Sequence, residues 1–291
     1  MLGLALSGGG VKGAAHIGVL QALEEEGIKI DCISGTSSGS IIATLYAVGY
    51  KPPEILKIFK NYSKSIKYYS LNNIMKLIQG LTTERKITIS GLNDGSIIEQ
   101  EIEKLCKTKG IKYINEIKMP IIIPAVNLKD GSVILFSSKE NKNIRTYQNN
   151  YIFKYDVEIA KCVRASTSFP GIFEPLEYEN YKLIDGGTRE NTPWRELKSI
   201  GATKVICVAF FEDIDTHKEY NNFIDVVSSS LDIMRYELEN YELYKSDYII
   251  KINTNKTSLL DTSKIEELYN IGYNETKKNI RRIKEILSNK N

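Results

Sequence analysis

The chain has 291 residues, of which 42 % are hydrophobic and 26 % charged, a mixture typical of a protein that buries a sizeable core. This composition excludes a disordered tail and a fibre, and the longest apolar runs are too short to span a membrane as helices. The 39 basic and 36 acidic residues leave a net charge of +3, too small to indicate a nucleic-acid partner. The N-terminus lacks the basic and cleavable apolar segments of a signal peptide, so we expect a cytoplasmic protein.

Basic residues are concentrated at the C-terminal end of the chain. Residues 277–291 contain six lysines and arginines against a single glutamate, Glu285. A basic helical end of this kind can make a peripheral contact with an anionic membrane, although most such runs are solvated helix faces. Both interpretations remain open at the level of sequence.

The four cysteines are spread along the chain and form no Cys-x-x-Cys pair. Their neighbours are largely apolar, so we expect reduced cysteines in the core and no metal site. They are Cys32, Cys106, Cys162 and Cys207.

The first part of the chain predicts strands alternating with helices. The predicted elements in chain order are strand Leu2–Ser7, helix Ala14–Glu26, strand Ile30–Ser34 and helix Ser38–Val48. Gly27 is a candidate C-cap for the first helix. This order predicts parallel strands joined by right-handed crossovers.

The remainder continues with mixed elements. A helical stretch is predicted from Pro52 to about Gln79, and Lys129–Gly131 predicts the turn of a hairpin. Further helices are predicted at Ser96–Cys106, Val157–Ala165, Trp194–Ile200, Phe223–Tyr244 and Lys264–Leu287, and strands at Ile121–Val126, Val133–Phe136, Lys204–Phe210 and Tyr248–Ile252, with a hairpin-like stretch at Phe173–Ile184. Without a repeat or a Gly/Ser linker, we expect a single domain over residues 1–291, with a helical C-terminal part and its basic end at 263–291.

The first of three short motifs is the glycine-rich turn Gly8-Gly9-Gly10-Val11-Lys12-Gly13. Glycines allow a tight turn and expose backbone N–H groups at the start of the following helix, where anions bind. As Gly-x-Gly-x-x-Gly it fits a dinucleotide fingerprint, with Asp31 near the spacing of the ribose-binding carboxylate. As an oxyanion hole, the same amides would stabilise the tetrahedral intermediate of acyl transfer. The motif alone does not decide between these interpretations.

The second motif, Gly35-Thr36-Ser37-Ser38-Gly39, lies between a predicted strand and a predicted helix, the context of a nucleophile elbow. Ser37 would project from the carboxyl edge of the sheet. Asp31 lies at the beginning of that strand and so faces the wrong end of the sheet for a dinucleotide. The motif favours a serine nucleophile, with a nucleotide-binding oxidoreductase as the alternative.

A serine nucleophile needs a base, and the chain has only two histidines. His16 lies on the core side of the first helix, which indicates a packed histidine with one hydrogen-bond partner. His217 lies in the polar stretch 212–222, which indicates a surface residue. Neither comes with the carboxylate that orients the histidine of a triad.

The third motif, Leu183-Ile184-Asp185-Gly186-Gly187, ends a predicted strand with a carboxylate and two glycines. One interpretation is an ordinary turn. The other makes Asp185 the direct partner of Ser37. An aspartate is a weak base, so such a dyad relies on placement, desolvation and a good oxyanion hole.

These three motifs, in this order, resemble the patatin-like phospholipases, a family of lipid acyl hydrolases. Further matches are the run Ala165–Pro170, continuing to Phe173-Glu174-Pro175, and Asn191-Thr192-Pro193 after the aspartate. The resemblance covers about residues 2–208. The C-terminal part, with its long helices, matches no motif.

The resemblance implies an α/β fold, a three-layer α/β/α sandwich with a mostly parallel central sheet. It implies Ser37 as the nucleophile, Asp185 as its general base and the amides of Gly9 and Gly10 as the oxyanion hole. The implied substrate is a fatty-acyl ester, such as a membrane phospholipid, with no metal or cofactor. Lys12 would either contact a lipid phosphate or bridge the loop to a carboxylate. A catalytically silent lipid-binding module is a further alternative, against which the intact Ser37 and Asp185 argue.

Overall fold

A computed structural model describes residues 1–65, 75, 90–140, 150–211, 223–255 and 257–288. Its strands are β1 (Leu2–Leu6), β2 (Cys32–Gly35), β3 (Gly91–Asn93), β4 (Ile121–Asn127), β5 (Val133–Ser137), β6 (Tyr151–Lys154), β7 (Gly171–Phe173), β8 (Leu176–Tyr178), β9 (Tyr181–Asp185), β10 (Lys204–Phe211) and β11 (Tyr248–Asn253). Its α-helices are α1 (Ala14–Glu25), α2 (Ser38–Ala47), α3 (Pro52–Ser65), α4 (Ser96–Thr108), α5 (Ile159–Ser166), α6 (Trp194–Ser199), α7 (Phe223–Leu243) and α8 (Ile265–Ser288).

The central sheet has the strand order β11-β10-β1-β2-β4-β5-β6. The first five of these strands pair in parallel, β5 is antiparallel to β4, and β6 is parallel to β5. β1 therefore lies inside the sheet, which is why its sequence is apolar at nearly every position. The predicted mostly parallel sheet is confirmed.

Helices cover both faces of this sheet. Leu4 and Leu6 of β1 belong to the large core that includes α1, α2 and α8. Ala5, between them, belongs to a second core with Trp194 and Leu197 of α6. Successive strand residues point to opposite faces, so the two cores lie on opposite sides of the sheet. The three-layer sandwich is confirmed.

The last helix packs closely against the first. A Cβ atom on Gly18 of α1 would collide with the carbonyl oxygen of Tyr269, and one on Gly272 of α8 with that of Ala15. The two glycines therefore allow the helix backbones to approach closely. This contact holds the C-terminal part of the chain against the helix that follows the glycine loop.

Two strands share one edge of β4 and bring the second and third motifs together. Ile33 of β2 pairs in parallel with Ile121, and Asp185 at the end of β9 pairs with Ala125 in an antiparallel register. Because β2 and β9 run in opposite directions along this edge, their carboxyl ends point toward each other. Ser37 follows β2 by two residues and thus lies next to Asp185.

Most elements lie where the sequence predicts them, with ends shifted by a few residues. β4 and β5 form the expected hairpin. The sequence missed β3, β6 and most of β7, of three, four and three residues, because strands this short show no clear period. Beyond Ser65, the helix predicted up to Gln79 lies outside the described residues except for Met75.

All four cysteines are free and buried, as expected. No helix in the described part of the chain is long and apolar enough to cross a membrane.

Candidate active site

Ser37 occupies a strained turn between β2 and α2. Its φ of 52° and ψ of −123° lie in a region that residues other than glycine rarely adopt, at a cost of roughly 1–3 kcal/mol. A Cβ atom on Gly35 would meet the backbone of Gly39, and one on Gly39 would lie 2.7 Å from the carbonyl oxygen of Ser7. The two glycines thus permit a turn this tight, as the elbow motif requires.

Three hydrogen bonds that involve side chains help to hold the turn. The Ser37 N–H donates to Oγ of Ser166 at 3.1 Å, and Oγ of Ser40 donates to the Ser37 carbonyl at 2.6 Å. Oγ1 of Thr36 donates to the carbonyl of Glu190 at 2.7 Å. The Ser37 hydroxyl makes no capping bond to α2, so the turn is fixed by its neighbours and not by the serine side chain itself.

The Asp185 carboxyl is buried, with 3 % of the residue exposed. Its Oδ1 accepts a hydrogen bond from the N–H of Gly187 at 2.8 Å, which orients the carboxyl at the end of β9. Burial raises the pKa of Asp185 to about 6, against the smaller lowering effects of the Ser37 hydroxyl, the Gly187 amide and the Arg235 charge. The carboxylate is therefore a stronger base than an ordinary aspartate, and the Ser37 hydroxyl lies near enough to lower its pKa.

The first glycine of this motif, Gly186, has a packing role. A Cβ atom on Gly186 would collide with the carbonyl oxygen of Pro124 in β4. Glycine at this position lets the turn after β9 lie directly against the neighbouring strand.

The amides of the glycine loop divide into two groups. Gly8 N–H donates to the backbone and side-chain oxygens of Asn191, both at 3.2 Å. Val11 N–H donates to the carbonyl of Leu259 at 2.9 Å, and Lys12 N–H to that of Gly9 at 3.1 Å. Within the described ranges, the N–H groups of Gly9 and Gly10 donate to no protein acceptor. They are the loop amides that the fold leaves for a ligand oxygen.

Two of the loop positions, Gly8 and Gly13, are closely packed against the elbow. A Cβ atom on Gly13 would lie 2.9 Å from the Ser38 side chain, and one on Gly8 would lie 3.2 Å from Cβ of Ser37. The loop and the elbow therefore lie in contact with each other.

Lys12 has a buried position, with 5 % of the residue exposed. Its charge lowers the pKa of the buried Glu239 carboxyl, which burial raises overall. Of the two roles expected for Lys12, this placement favours the bridge to a carboxylate.

His16 is packed as the sequence predicts. Its Nε2 hydrogen-bonds to the Ser7 carbonyl at 2.8 Å, and its ring stacks on Phe210 with centroids 4.7 Å apart. Burial lowers its pKa to about 4, so the ring is neutral near pH 7. His217 lies outside the described residues.

A largely apolar cavity of about 410 Å³ joins the three motifs. Ser37, Asp185 and residues of the glycine loop line it together with apolar side chains. These include Ile41, Phe59, Ile98, Phe169, Ile172 and Phe173. A serine, a buried carboxylate and residues of the glycine loop thus line an apolar chamber, a combination suited to an acyl ester.

Comparison with known proteins agrees with this arrangement. A model of the patatin-like phospholipase family matches residues 4–198. The chain belongs to this family. The family that the motifs resemble is thereby confirmed, and the dinucleotide-binding alternative is not supported.

Two curated relatives illustrate the similarity. Lysophospholipase NTE1 of Candida albicans is 28 % identical over 209 residues, which are 71 % of this chain and 13 % of that protein. Lysophospholipase NTE1 of Saccharomyces cerevisiae is 30 % identical over 207 residues, which are 71 % of this chain and 10 % of that protein. The chain thus matches only a small part of each curated relative.

Among solved structures, VipD from Legionella pneumophila has 18 % sequence identity and a TM-score of 0.49, covering 95 % of this chain and 66 % of that one.

Some residues of this patatin-like site were missed by the sequence. Arg235 of α7 lines the cavity, and Leu259 and Leu260, after β11, line it from another side. All three lie beyond the residues that match the family. One signal in the sequence could have drawn attention to Arg235: it is the single basic residue in the sequence of α7.

Buried carboxylates connect α7 to the segment after Asp185. Glu242 accepts hydrogen bonds from the N–H groups of Asn191 at 3.1 Å and Thr192 at 3.0 Å. Glu239 accepts from the Asn191 side-chain amide at 3.0 Å and from the Thr192 hydroxyl at 3.2 Å. Since Asn191 also accepts from Gly8, α7 supports the glycine loop through one intermediate residue.

Two further carboxyls, Glu190 and Glu196, lie beside Glu242. The Tyr151 hydroxyl donates to Glu190. Burial and the neighbouring Glu190 raise the pKa of Glu196 to about 8, and the same causes raise that of Glu242. In the part of the chain that the structure describes, no group of three or more His, Cys, Asp or Glu residues is arranged to hold a metal ion.

Proposed function

We propose that the chain is a serine lipid acyl hydrolase that cleaves the carboxylic ester of a phospholipid or lysophospholipid. The observation that carries this proposal is the placement of Ser37, in its strained elbow, beside the buried Asp185 and the free amides of Gly9 and Gly10. Membership of the patatin-like family supports the reaction class. The curated relatives are named lysophospholipases, which supports the substrate class.

In the proposed mechanism, Oγ of Ser37 attacks the ester carbonyl and its proton passes to the Asp185 carboxylate. The carbonyl oxygen becomes an oxyanion that accepts hydrogen bonds from Gly9 and Gly10. The tetrahedral intermediate collapses, and the alcohol leaves with the proton that Asp185 returns. A water molecule, deprotonated by Asp185, then hydrolyses the acyl-serine. These steps use the chain's own groups and involve no cofactor.

The cavity supports an acyl chain as the group held during this reaction. Its apolar side chains offer a surface on which a fatty chain loses contact with water, which is the favourable term in binding such a ligand. The raised pKa of Asp185 supports its role as the base, because a carboxylate with a pKa of about 6 is ionised near pH 7 and accepts a proton more readily than usual.

We further propose that the chain acts as a single domain in the cytoplasm, with four reduced cysteines. A peripheral contact of its basic end with an anionic membrane is also a proposal. In the described part of that end, Lys277 and Lys284 both pair with Glu26 of the adjoining segment, and Arg281 pairs with Glu285. These ion pairs reduce the charge available for lipid, so the contact would be weak and sensitive to salt.

The proposal is tested by the Ser37→Ala variant. We expect it to lose ester hydrolysis by roughly 10⁴-fold or more, together with labelling by an acyl-serine-directed fluorophosphonate. The fold should survive because one half-buried oxygen is removed. Ser230→Ala, at an exposed serine of α7, is the matched control. Equal labelling of Ser37→Ala and the unchanged chain would place the nucleophile elsewhere, and a chain that binds lipid without labelling would be the silent module.

A further inference from the structure

Arg235 of α7 lines the cavity. Among the described lining residues, it is the single one with a cationic side chain. The side chain is half-buried. The other lining residues, apart from Asp185, are apolar or neutral. An anionic group entering this cavity would therefore find its counter-charge at Arg235.

We propose that Arg235 binds the phosphate of the substrate headgroup and thereby selects phosphate-bearing acyl esters over neutral ones. This inference rests on the proposed function, since it names the substrate class of the same site. It does not follow from the three motifs, because Arg235 lies outside the residues that match the family.

The position of Arg235 is fixed by the helix that carries it. Arg235, Glu239 and Glu242 are spaced four and three residues apart, so they lie on one face of α7. The two glutamates are anchored by hydrogen bonds to Asn191 and Thr192. This face therefore runs from a buried anchor at Glu242 toward the cavity at Arg235.

Arg235 lies within electrostatic range of the reacting groups. Its charge lowers the pKa of Asp185 and also that of Glu239. In a lysophospholipid, only the short glycerol unit separates the ester from the phosphate, so a phosphate site must lie near the nucleophile. Arg235 lines the same cavity as Ser37 and Asp185, which meets this requirement.

The chemistry of the guanidinium suits this role. Arginine carries five N–H donors in a planar fork that matches phosphate oxygens. The charges of both Arg235 and Lys12 act on Glu239. Lys12 itself is buried, so Arg235 is the better placed of the two cations for a headgroup.

The test compares two esters with the same acyl chain, 1-palmitoyl-lysophosphatidylcholine and 1-monopalmitoylglycerol, both in neutral detergent micelles. We expect Arg235→Gln to lower the ratio of kcat/KM for the first ester to that for the second by about 10-fold or more, the loss typical of a charge-assisted hydrogen bond. Arg235→Lys should recover part of the ratio, because the charge remains but the fork is lost. Arg281→Gln, at a side chain that is 92 % exposed, is the matched control.

A second readout separates headgroup binding from an effect on the base. Removing the Arg235 charge should shift the acidic limb of the rate profile to higher pH for both esters, since that charge lowers the pKa of Asp185. The ratio of the two kcat/KM values is therefore measured at a pH above this limb, where the rate no longer changes with pH. A ratio in Arg235→Gln equal to that of the unchanged chain would overturn the proposal and leave Arg235 as a positioning residue for Asp185.

A failure of the proposed function is recognised separately. If the unchanged chain hydrolyses neither ester, the inference is decided by binding, with 1-O-hexadecyl-glycerophosphocholine and 1-O-hexadecylglycerol as ether-linked probes in equilibrium dialysis. Arg235→Gln should then weaken binding of the phosphate-bearing probe relative to the neutral one. Equal weakening, or no change, would overturn the inference.

Discussion

Residues 4–198, which match the family, and the residues that follow them contribute to the site in different ways. The first region holds the elbow, the glycine loop and Asp185, and each belongs to a short motif. The second region holds no motif, yet it supplies the ring of Phe210 against Gly9 and the carbonyl of Leu259 that accepts from Val11. The groups proposed to react belong to one region, and contacts that pack against the glycine loop come from the other.

This division explains why the glycine loop cannot be understood from its own sequence. A Cβ atom on Gly9 would lie 2.6 Å from the Phe210 ring, and one on Gly10 would collide with the carbonyl oxygen of Leu259. Both contacts come from the second region. The loop must therefore be glycine-rich partly because distant segments pack directly against it.

After Ser37→Ala, the largest effect should also come from the first region, at Asp185. We expect Asp185→Asn to lower turnover roughly a thousandfold, because the amide cannot take the Ser37 proton while it can still accept from Gly187. In the unchanged chain, activity should fall as the pH drops through about 6, where the buried carboxylate is protonated. Steady-state kinetics between pH 4.5 and pH 9 on a soluble ester would measure both effects.

Two controls accompany this prediction. Asp31→Asn makes the same chemical change at a carboxylate that accepts from the Leu2 N–H at 2.8 Å, far from the elbow, and should retain activity. His16→Gln should retain most activity, since the ring is neutral and does not line the cavity. If His16→Gln silenced hydrolysis as fully as Asp185→Asn, the dyad would be wrong.

The next effect lies where the two regions meet, at Gly10. Adding a Cβ atom there should push the loop away from Leu259 and move the amides of Gly9 and Gly10. We expect Gly10→Ala to lower kcat by about a hundredfold, the loss expected from removing one oxyanion donor, with a smaller change in KM.

Gly27→Ala is the matched control for this change. Gly27 has a φ of 69°, close to the 57° of Gly10, but a Cβ atom there would meet nothing within 4 Å. Gly27→Ala therefore introduces the same backbone strain as Gly10→Ala, but its Cβ atom collides with no other residue. If both variants lost the same activity, or if neither lost any, the contact between Leu259 and the loop would have no role in catalysis.

The sequence predicted the first region more completely than the second, for a physical reason. The elbow, the loop and the strand that ends at Asp185 are defined by neighbours within a few residues, so their spacing is visible in the chain. The contact of Ser166 with Ser37 spans 129 residues, and no local pattern encodes such a distance. Arg235 and Leu259 were missed for the same reason, although the helix and strand that position them were predicted.

The smallest effect concerns stability and lies in the carboxyl cluster where α7 meets the segment after Asp185. Glu196 is buried, and its Oε2 has no hydrogen-bond partner among the described residues. Because its pKa in the folded chain is raised to about 8 from 4.5, the folded state binds a proton more tightly than the unfolded state. The free energy of unfolding should therefore decrease as the pH rises from about 4.5 to about 8.

Glu196→Gln keeps the shape of the protonated carboxyl and removes its titration. We expect the variant to be more stable than the unchanged chain at pH 9, on the order of 1–3 kcal/mol, and to show a weaker pH dependence. Urea unfolding at pH 5, 7 and 9 measures this, with the exposed Glu103→Gln as the control. A variant that is less stable at every pH would mean that the Glu196 charge supports the fold. The carboxyl cluster would then hold α7 against the segment after Asp185 through ionised groups, and the two would separate as the pH falls.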